Sequence, residues 1–373
     1  MRILHINSYF STSGLFKQLY QRQEAVGLDL NVYVPIAHEY DMEKLAASGS
    51  YTDVVKNFHQ WERVIFPMKH HHILKDLVGR YNFENFDLVH AHSLFSNGWL
   101  AYQLKQRFGL PYMVAVRSAD IATFFGKMPW MRATGIRILQ NAEKIIFISQ
   151  NNYNEVFEKY IPKHKLDDIQ AKSQVLANGI DDFWHQNAPS QAKEAPHHPL
   201  RMVSTGKIMK RKRYENLVAR LDSFQKNHQE KLELHLVGPE WEKGLLDKLT
   251  AYPFVHYHPA MSKEELANFY ADMDVFILLS YPETFGLVYA EAMSQGLPII
   301  YTKGQGFDSF FSNHLVGESV DPHDQDQLDQ AIGYIQDHYT TMSAAALANV
   351  HYFDWNKINQ EYLSIYRMML DKQ

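Results

Sequence analysis

Short apolar runs recur along the chain, separated by longer stretches whose apolar positions fall at helical spacing. Residues 3–6 predict a buried strand, residues 7–14 a loop, and residues 16–25 a helix, with Leu15, Leu19 and Val26 near helical spacing. Gly27 ends that helix and residues 30–34 form the next strand. This strand–helix–strand unit is the seed of a parallel sheet. The pattern recurs as a strand at 88–91, a helix near 100–108 and a strand at 113–116, with further strands at 145–148 and 174–176. Residues 185–200, HQNAPSQAKEAPHHPL, then break the rhythm: polar and proline-containing, they offer little to bury and predict an interdomain linker over 183–200.

A second series follows. Strands are expected at 202–205, 233–237, 255–258, 275–279 and 298–301. One helix places Leu217, Leu221 and Phe224 on a single face, and another runs to Ala271 from the capping box of Ser262 and Glu265. A third is expected over 285–295, stopped by Gly296. In the last stretch, Ile358, Tyr362, Ile365, Tyr366 and Met369 recur at helical spacing. The expected organisation is an α/β domain over 1–182, the linker, a second α/β domain over 201–354 and a C-terminal helix over 355–373. Two such domains imply facing sheets with a cleft between them, and ligands of open α/β sheets bind outside the carboxyl ends of the strands.

The length of 373 residues agrees with two cores rather than one. Hydrophobic residues at 46% and charged residues at 21% fit a soluble globular chain. A formal charge of −5 argues against a nucleic-acid partner. With no cysteine, disulfides, thiolate metal sites and cysteine nucleophiles are excluded. The opening MRILHINSYF is interrupted by His5 and Asn7 and does not read as a secretory signal. The apolar run 275–280 is far short of the ~20 residues of a membrane span. The expected location is the cytoplasm, with room for peripheral contact at the inner face of the membrane.

Chemistry concentrates in residues 280–298, SYPETFGLVYAEAMSQGLP. Glu283 stands between a strand and a helix that opens near Phe285 and Gly286; Glu291 lies further along that helix. A helix start carries unpaired N–H groups and the positive end of the dipole, and glycine lets a ligand approach the backbone. That suits an anion such as a diphosphate. Carboxylates suit sugar hydroxyls, since each accepts several hydrogen bonds. The second segment, GKIMKRK at 206–212, follows a strand with four basic residues in seven positions. Lys207 and Lys212 are the pair expected to meet phosphate oxygens as point charges.

Residues 283–291, ETFGLVYAE, resemble the Glu-x7-Glu motif of family 4 retaining glycosyltransferases. Lys207 and Lys212 stand where that family has an Arg and a Lys; DLVHAHS, LANGID, LVG and FDWNKI match further pieces in order, over nearly the whole chain. The resemblance implies a GT-B fold, two Rossmann-like domains with the C-terminal helix crossing back to the first. It implies that Glu283 reaches sugar hydroxyls, that amides of Thr284, Phe285, Gly286 and Leu287 contact sugar and phosphate, and that Glu291 holds the ribose. Lys207, Lys212 and the adjoining Gly206 would surround the diphosphate. Gly14, in a loop reading STSG instead of the commoner double glycine, would approach phosphate or acceptor. His92 and Arg117 are acceptor candidates; Arg117 stands where the family often has His. The implied co-substrate is a nucleotide sugar, UDP-linked, and the acceptor a lipid-linked or glycan molecule, with no cofactor and no metal. A nucleotide-sugar epimerase, a phosphorylase and a non-catalytic binding protein are the competing readings; the first two show no signature of their own, and the departures at Lys207 and Arg117 are what favour the third.

Other features have plainer readings. His90 and His92 share a strand face and would serve as core or cleft residues before metal ligands. His70, His71 and His72 read as a solvated or membrane-facing surface. Asp272 and Asp274 precede a strand and are expected to end a helix. Residues 124–131, FFGKMPWM, suit a packed loop as well as an acceptor or membrane contact.

Overall fold

The computed structural model describes residues 1–46 and 48–371; the last two residues of the expected segment 355–373 lie outside the described residues. The chain forms two compact units. The first comprises Met1–Ile148, Asn152–Ala177 and Trp355–Gln373; the second comprises Ser149–Asn151 and Asn178–Asp354.

The first unit holds a parallel sheet of β1 (Arg2–Ile6), β2 (Asp29–Ala37), β3 (Thr52–Phe58), β4 (Leu88–Ala91), β5 (Tyr112–Val116), β6 (Lys144–Phe147) and β7 (Ser173–Val175). Their order is β3-β2-β1-β4-β5-β6-β7, with Ile3 opposite both Leu30 and Leu88. Successive side chains of a strand point to opposite faces. Leu4, Ile6, Val89, Val114 and Val116 enter one core, while Ile3, Leu30, Val32, Leu88 and Met113 enter another. Both faces are covered, which is why these strands are continuous apolar runs instead of alternating ones.

The C-terminal helix Trp355–Leu370 belongs to the second of these cores. Trp355, Ile358, Tyr362, Ile365, Tyr366 and Met369 are buried. Burying each such side chain is worth about 1.5–3 kcal/mol. Arg22 Nε donates to Asn356 Oδ1 at 2.8 Å and Gln23 Nε2 to the Tyr366 hydroxyl at 3.2 Å, tying this helix to Lys17–Ala25.

The second unit holds β8 (Leu200–Thr205), β9 (Leu232–Val237), β10 (Val255–His258), β11 (Val275–Leu278), β12 (Ile299–Thr302) and β13 (Gly317–Val320), again all parallel. Their order is β10-β9-β8-β11-β12-β13. The connections reverse direction between β8 and β11. Open α/β sheets bind ligands at such a point, beyond the carboxyl ends of the strands.

Several expectations change. β3 and the helix Phe66–Arg80 were not foreseen. His70 is buried on that helix, in line with Ile73, Leu74 and Leu77, so the histidine tract is not a uniformly solvated surface. The helix expected at 285–295 is shorter, Leu287–Met293, because residues 283–286 are held as a loop. The segment 183–200 is no free tether. It begins within a short helix, Asp182–Gln186, that buries Trp184. Lys193 N then donates to Ser343 Oγ at 2.9 Å, and His197 N to Asp274 Oδ2 at 3.1 Å. Asp272 caps the helix Lys263–Ala271. Asp274 is buried and also accepts the Arg201 N–H at 2.8 Å, so it clasps backbone.

Candidate active site

The carboxyl ends of β8 and β11 carry the two segments singled out above. After β8 the chain turns through Gly206, whose φ of +136° lies outside the range L side chains favour. Gly206 N donates to Val237 O at 2.9 Å. Gly238 crosses so close that a Cβ there would sit 2.1 Å from Gly206 O. A short 3-10 turn, Lys210–Lys212, follows and leads into the helix Tyr214–His228.

Lys212 Nζ lies 2.7 Å from Glu283 Oε2, and the two side chains are only 12% and 8% exposed. Ser280 Oγ donates to the same carboxylate oxygen at 2.5 Å, and Thr284 N to the other at 3.0 Å. The backbone of Glu283 is clamped as well: its N–H donates to Gln305 Oε1 at 2.8 Å and its carbonyl accepts from Gly306 N at 3.1 Å. Burial pushes the Glu283 carboxyl up. The charge and hydrogen bond of Lys212, the Ser280 hydroxyl and the charge of Arg211 outweigh it, so the group titrates below its ordinary value. Glu283 is therefore a carboxylate at neutral pH. Lys212 spends one of its three N–H donors on Glu283, leaving two for another acceptor.

Phe285 anchors the loop, its ring packed edge-on against Phe310 at 5.3 Å and Phe353 at 5.7 Å. Gly286, at φ +78°, is the N-cap of Leu287–Met293; a Cβ there would lie 2.4 Å from the Tyr289 ring. Glu291 is the fifth residue of that helix and is half-buried. Burial pushes its carboxyl up to about 7; Lys263 pulls it down and Asp181 pushes it further up. Lys263 and Asp181 are themselves ion-paired.

The structure thus brings Gly206, Lys212, Glu283, Thr284, Phe285, Gly286, Leu287 and Glu291 into one region of the second unit. Lys207 does not join the Lys212–Glu283 pair: its side chain is turned onto Trp241, with the ammonium 3.7 Å from the ring centroid. Gly14 is exposed in the loop before Lys17–Ala25 of the first unit. Sequence reasoning missed Ser280, Gln305 and Gly306. Ser280 was within the motif segment; Gln305 is twenty-two residues from Glu283 and no local pattern announces it.

His92 and Arg117 lie in the first unit and are both buried. Arg117 Nε donates to His92 O at 3.0 Å and its guanidinium covers the Phe16 ring at 5.2 Å. His92 Nε2 is 3.1 Å from both His5 Nδ1 and the Tyr20 hydroxyl, and His90 Nδ1 is 2.8 Å from the Tyr366 hydroxyl. Among the described residues, His5, His90 and His92 are the group whose geometry approaches a metal cluster. Burial holds all three far below the ordinary histidine value, so they are neutral members of a buried hydrogen-bonded network. His92 is fully buried within this network.

Residues 186–344 match the family model described as glycosyl transferases group 1. The chain is similar to D-inositol 3-phosphate glycosyltransferase of Streptomyces griseus, 26% identical over 325 residues, covering 76% of this chain and 67% of that one. A relative of the same description from Mycobacterium marinum is also 26% identical, over 76% of this chain and 64% of its own length. The chain therefore spans about two thirds of the length of the curated relatives it matches. Among solved structures, sucrose-phosphate synthase from Thermosynechococcus elongatus superimposes with a TM-score of 0.76 at 19% identity over 100% of both chains. Anabaena Alr3699/HepE in complex with UDP gives 0.71 at 15% identity over 99% of this chain and 100% of that one. The fold is that of the GT-B glycosyltransferases, two parallel-sheet Rossmann-like units.

Proposed function

We propose that the protein is a retaining glycosyltransferase of family 4 that moves a hexose from a UDP-sugar to a lipid-linked or glycan acceptor in the assembly of cell-surface polysaccharide or glycolipid. The observation that carries this reading is the buried Lys212–Glu283 pair at the switch point of the second sheet, with the raised carboxyl of Glu291 on the helix that follows. The glycosyl transferases group 1 match over the same unit supports it, and the UDP held by the Anabaena relative supports a uridine donor.

In this reading Glu283 accepts hydrogen bonds from the hexose, and its clamped backbone fixes where they point. Lys212 offers its remaining N–H donors to the diphosphate as negative charge grows on the leaving oxygen. Charge-assisted bonds of this kind contribute roughly 1.5–3 kcal/mol each, and a preorganised cation stabilises charge that develops in the transition state. Glu291 accepts from the ribose hydroxyls, and amides of Thr284–Leu287 meet sugar and phosphate. Lys207 reaches the diphosphate only by leaving Trp241. Displacement on one face of the sugar, with the leaving phosphate assisting acceptor deprotonation, gives retention without an enzyme nucleophile. The charge of Lys212 takes the part a metal ion plays elsewhere, and no cofactor enters. The first unit holds the acceptor. The setting is the cytoplasm, at the inner face of the membrane.

The test is thermal-shift binding to UDP-, GDP-, ADP- and dTDP-sugars without added metal. At one hundred times its dissociation constant a ligand adds about 2.7 kcal/mol of stability. A shift confined to uridine donors and lost in Lys212→Ala is expected. Absence of a shift with any nucleotide, in folded protein, would overturn the donor site and favour a binding protein that has lost it.

A further inference from the structure

The first unit contains a cavity of about 370 Å³ beside the carboxyl ends of β1 and β2 and the start of the helix Ser96–Phe108. Tyr9, Tyr40, Arg63, Lys69, His70 and Asn97 are among its walls. Three features of these residues have no internal explanation.

The first is uncompensated charge. Arg63 and Lys69 both line the cavity, and among the described residues neither forms an ion pair. Lys69 is half-buried, its ammonium 4.8 Å from the Phe58 ring centroid. Burial, helped by the neighbouring charge of Arg63, lowers its value to about 8. Two cations crowded at a partly buried wall raise the energy of the empty site, and an anion between them relieves both effects. The second is Asn97, 1% exposed, with neither its amide oxygen nor its amide nitrogen partnered. A buried amide left unpaired costs about 1–3 kcal/mol, so its presence points to a ligand that completes it. The third is His70. Its Nδ1 donates to Phe66 O at 2.8 Å, and burial keeps the ring neutral, which leaves Nε2 as an unpaired acceptor.

Cations, an amide and an acceptor nitrogen together match a phosphate attached to a body rich in hydroxyls. We propose that this cavity binds a phosphate-bearing polyol, with Arg63 and Lys69 on the phosphate and Asn97, His70 and the Tyr9 hydroxyl on the polyol. That this ligand is the sugar acceptor rests on the glycosyltransferase reading; the binding itself does not. The phosphate has two chemical sources, a soluble sugar phosphate or a lipid headgroup. Trp61, Val64, Ile65 and Met68 flank Arg63 and are exposed, so both are tested.

The experiment titrates wild-type protein and the Arg63→Gln/Lys69→Gln variant with glucose 6-phosphate and with glucose by calorimetry. In parallel both proteins are sedimented with vesicles of phosphatidylcholine alone or with phosphatidylinositol added. Arg63 is exposed, so Arg63→Gln alone serves as a second variant with little risk to folding. The expected result is binding of one phosphate-bearing probe by wild type at least tenfold tighter than its neutral counterpart, with the preference abolished in the double variant and reduced in the single one. Preference for glucose 6-phosphate assigns a soluble source; preference for phosphatidylinositol vesicles assigns a lipid. Equal binding of charged and neutral probes, or a preference that survives in the double variant, overturns the proposal. Uridine-donor thermal shifts on wild type report separately on the donor site, so failure of one reading is distinguishable from failure of the other.

Discussion

Replacing Glu291 by Gln separates what this carboxyl does for stability from what it does for binding. Its value rises from an ordinary 4.5 to about 7, with burial the largest cause. The folded state therefore holds a proton that the unfolded chain has released across that window, and stability falls as pH rises through it. Above both values the cost of ionised Glu291 to the folded state is about 3 kcal/mol, at about 1.4 kcal/mol for each pH unit. Gln keeps the shape and does not titrate. The stability of Glu291→Gln relative to wild type should be constant below pH 4.5, rise between 4.5 and 7, and level off above. Urea titrations of both proteins from pH 4 to 9 measure that difference directly. Donor binding should move the other way. The ionised carboxylate accepts ribose hydroxyls best, so wild-type affinity for a UDP-sugar should increase toward pH 8 while the variant binds weakly and evenly. A stability difference that is flat from pH 4 to 9 would refute the assignment of burial as the force on Glu291. A flat donor affinity in wild type would refute its role with the ribose.

Three further outcomes follow from the same geometry. Lys212→Ala leaves Glu283 buried without its cation and should cost about 3–5 kcal/mol, read as a lowered melting temperature at pH 7; the loss should shrink in acid, where Glu283 takes up a proton. Gly238→Ala drives a Cβ into Gly206 O at φ +145° and should cost about 2–3 kcal/mol, whereas Gly109→Ala, at φ +71° in open space, should cost about 1–2 kcal/mol; melts of the two variants side by side check the contrast. Tyr366→Phe removes the hydroxyl shared by His90 and Gln23 and should cost about 1–3 kcal/mol, with faster amide hydrogen exchange in β1 and β4.

The apolar runs carried most of the sheets because strands covered on both faces leave a dense signal. The C-terminal helix was legible for a different reason, its 3.6-residue stripe from Ile358 to Met369. Phe66–Arg80 was not legible, since buried His70 occupies a place in the stripe that polarity rules assign to solvent. β13 escaped because Glu318 is buried in it, satisfied by Asn313 and His314. At the candidate site the Glu283–Glu291 spacing and the lysine turn were visible as motifs. The partners that hold Glu283 were not, apart from Lys212: Gln305 and Gly306 come from beyond the next strand, and only the sheet order brings them near. Lys207 rests on Trp241: charge suggested phosphate, while the nearby indole offered an alternative that sequence does not weigh.

The helix Trp355–Leu370 sets the order in which the molecule can mature. Its six large side chains complete a core whose other walls include β1, β2 and Lys17–Ala25, far earlier in the chain. The second unit is contained within residues synthesised before that helix, so it can close while the first still lacks part of its interior. A ribosome stalled, or a protease acting, near residue 354 would yield a finished second unit joined to an unfinished first one.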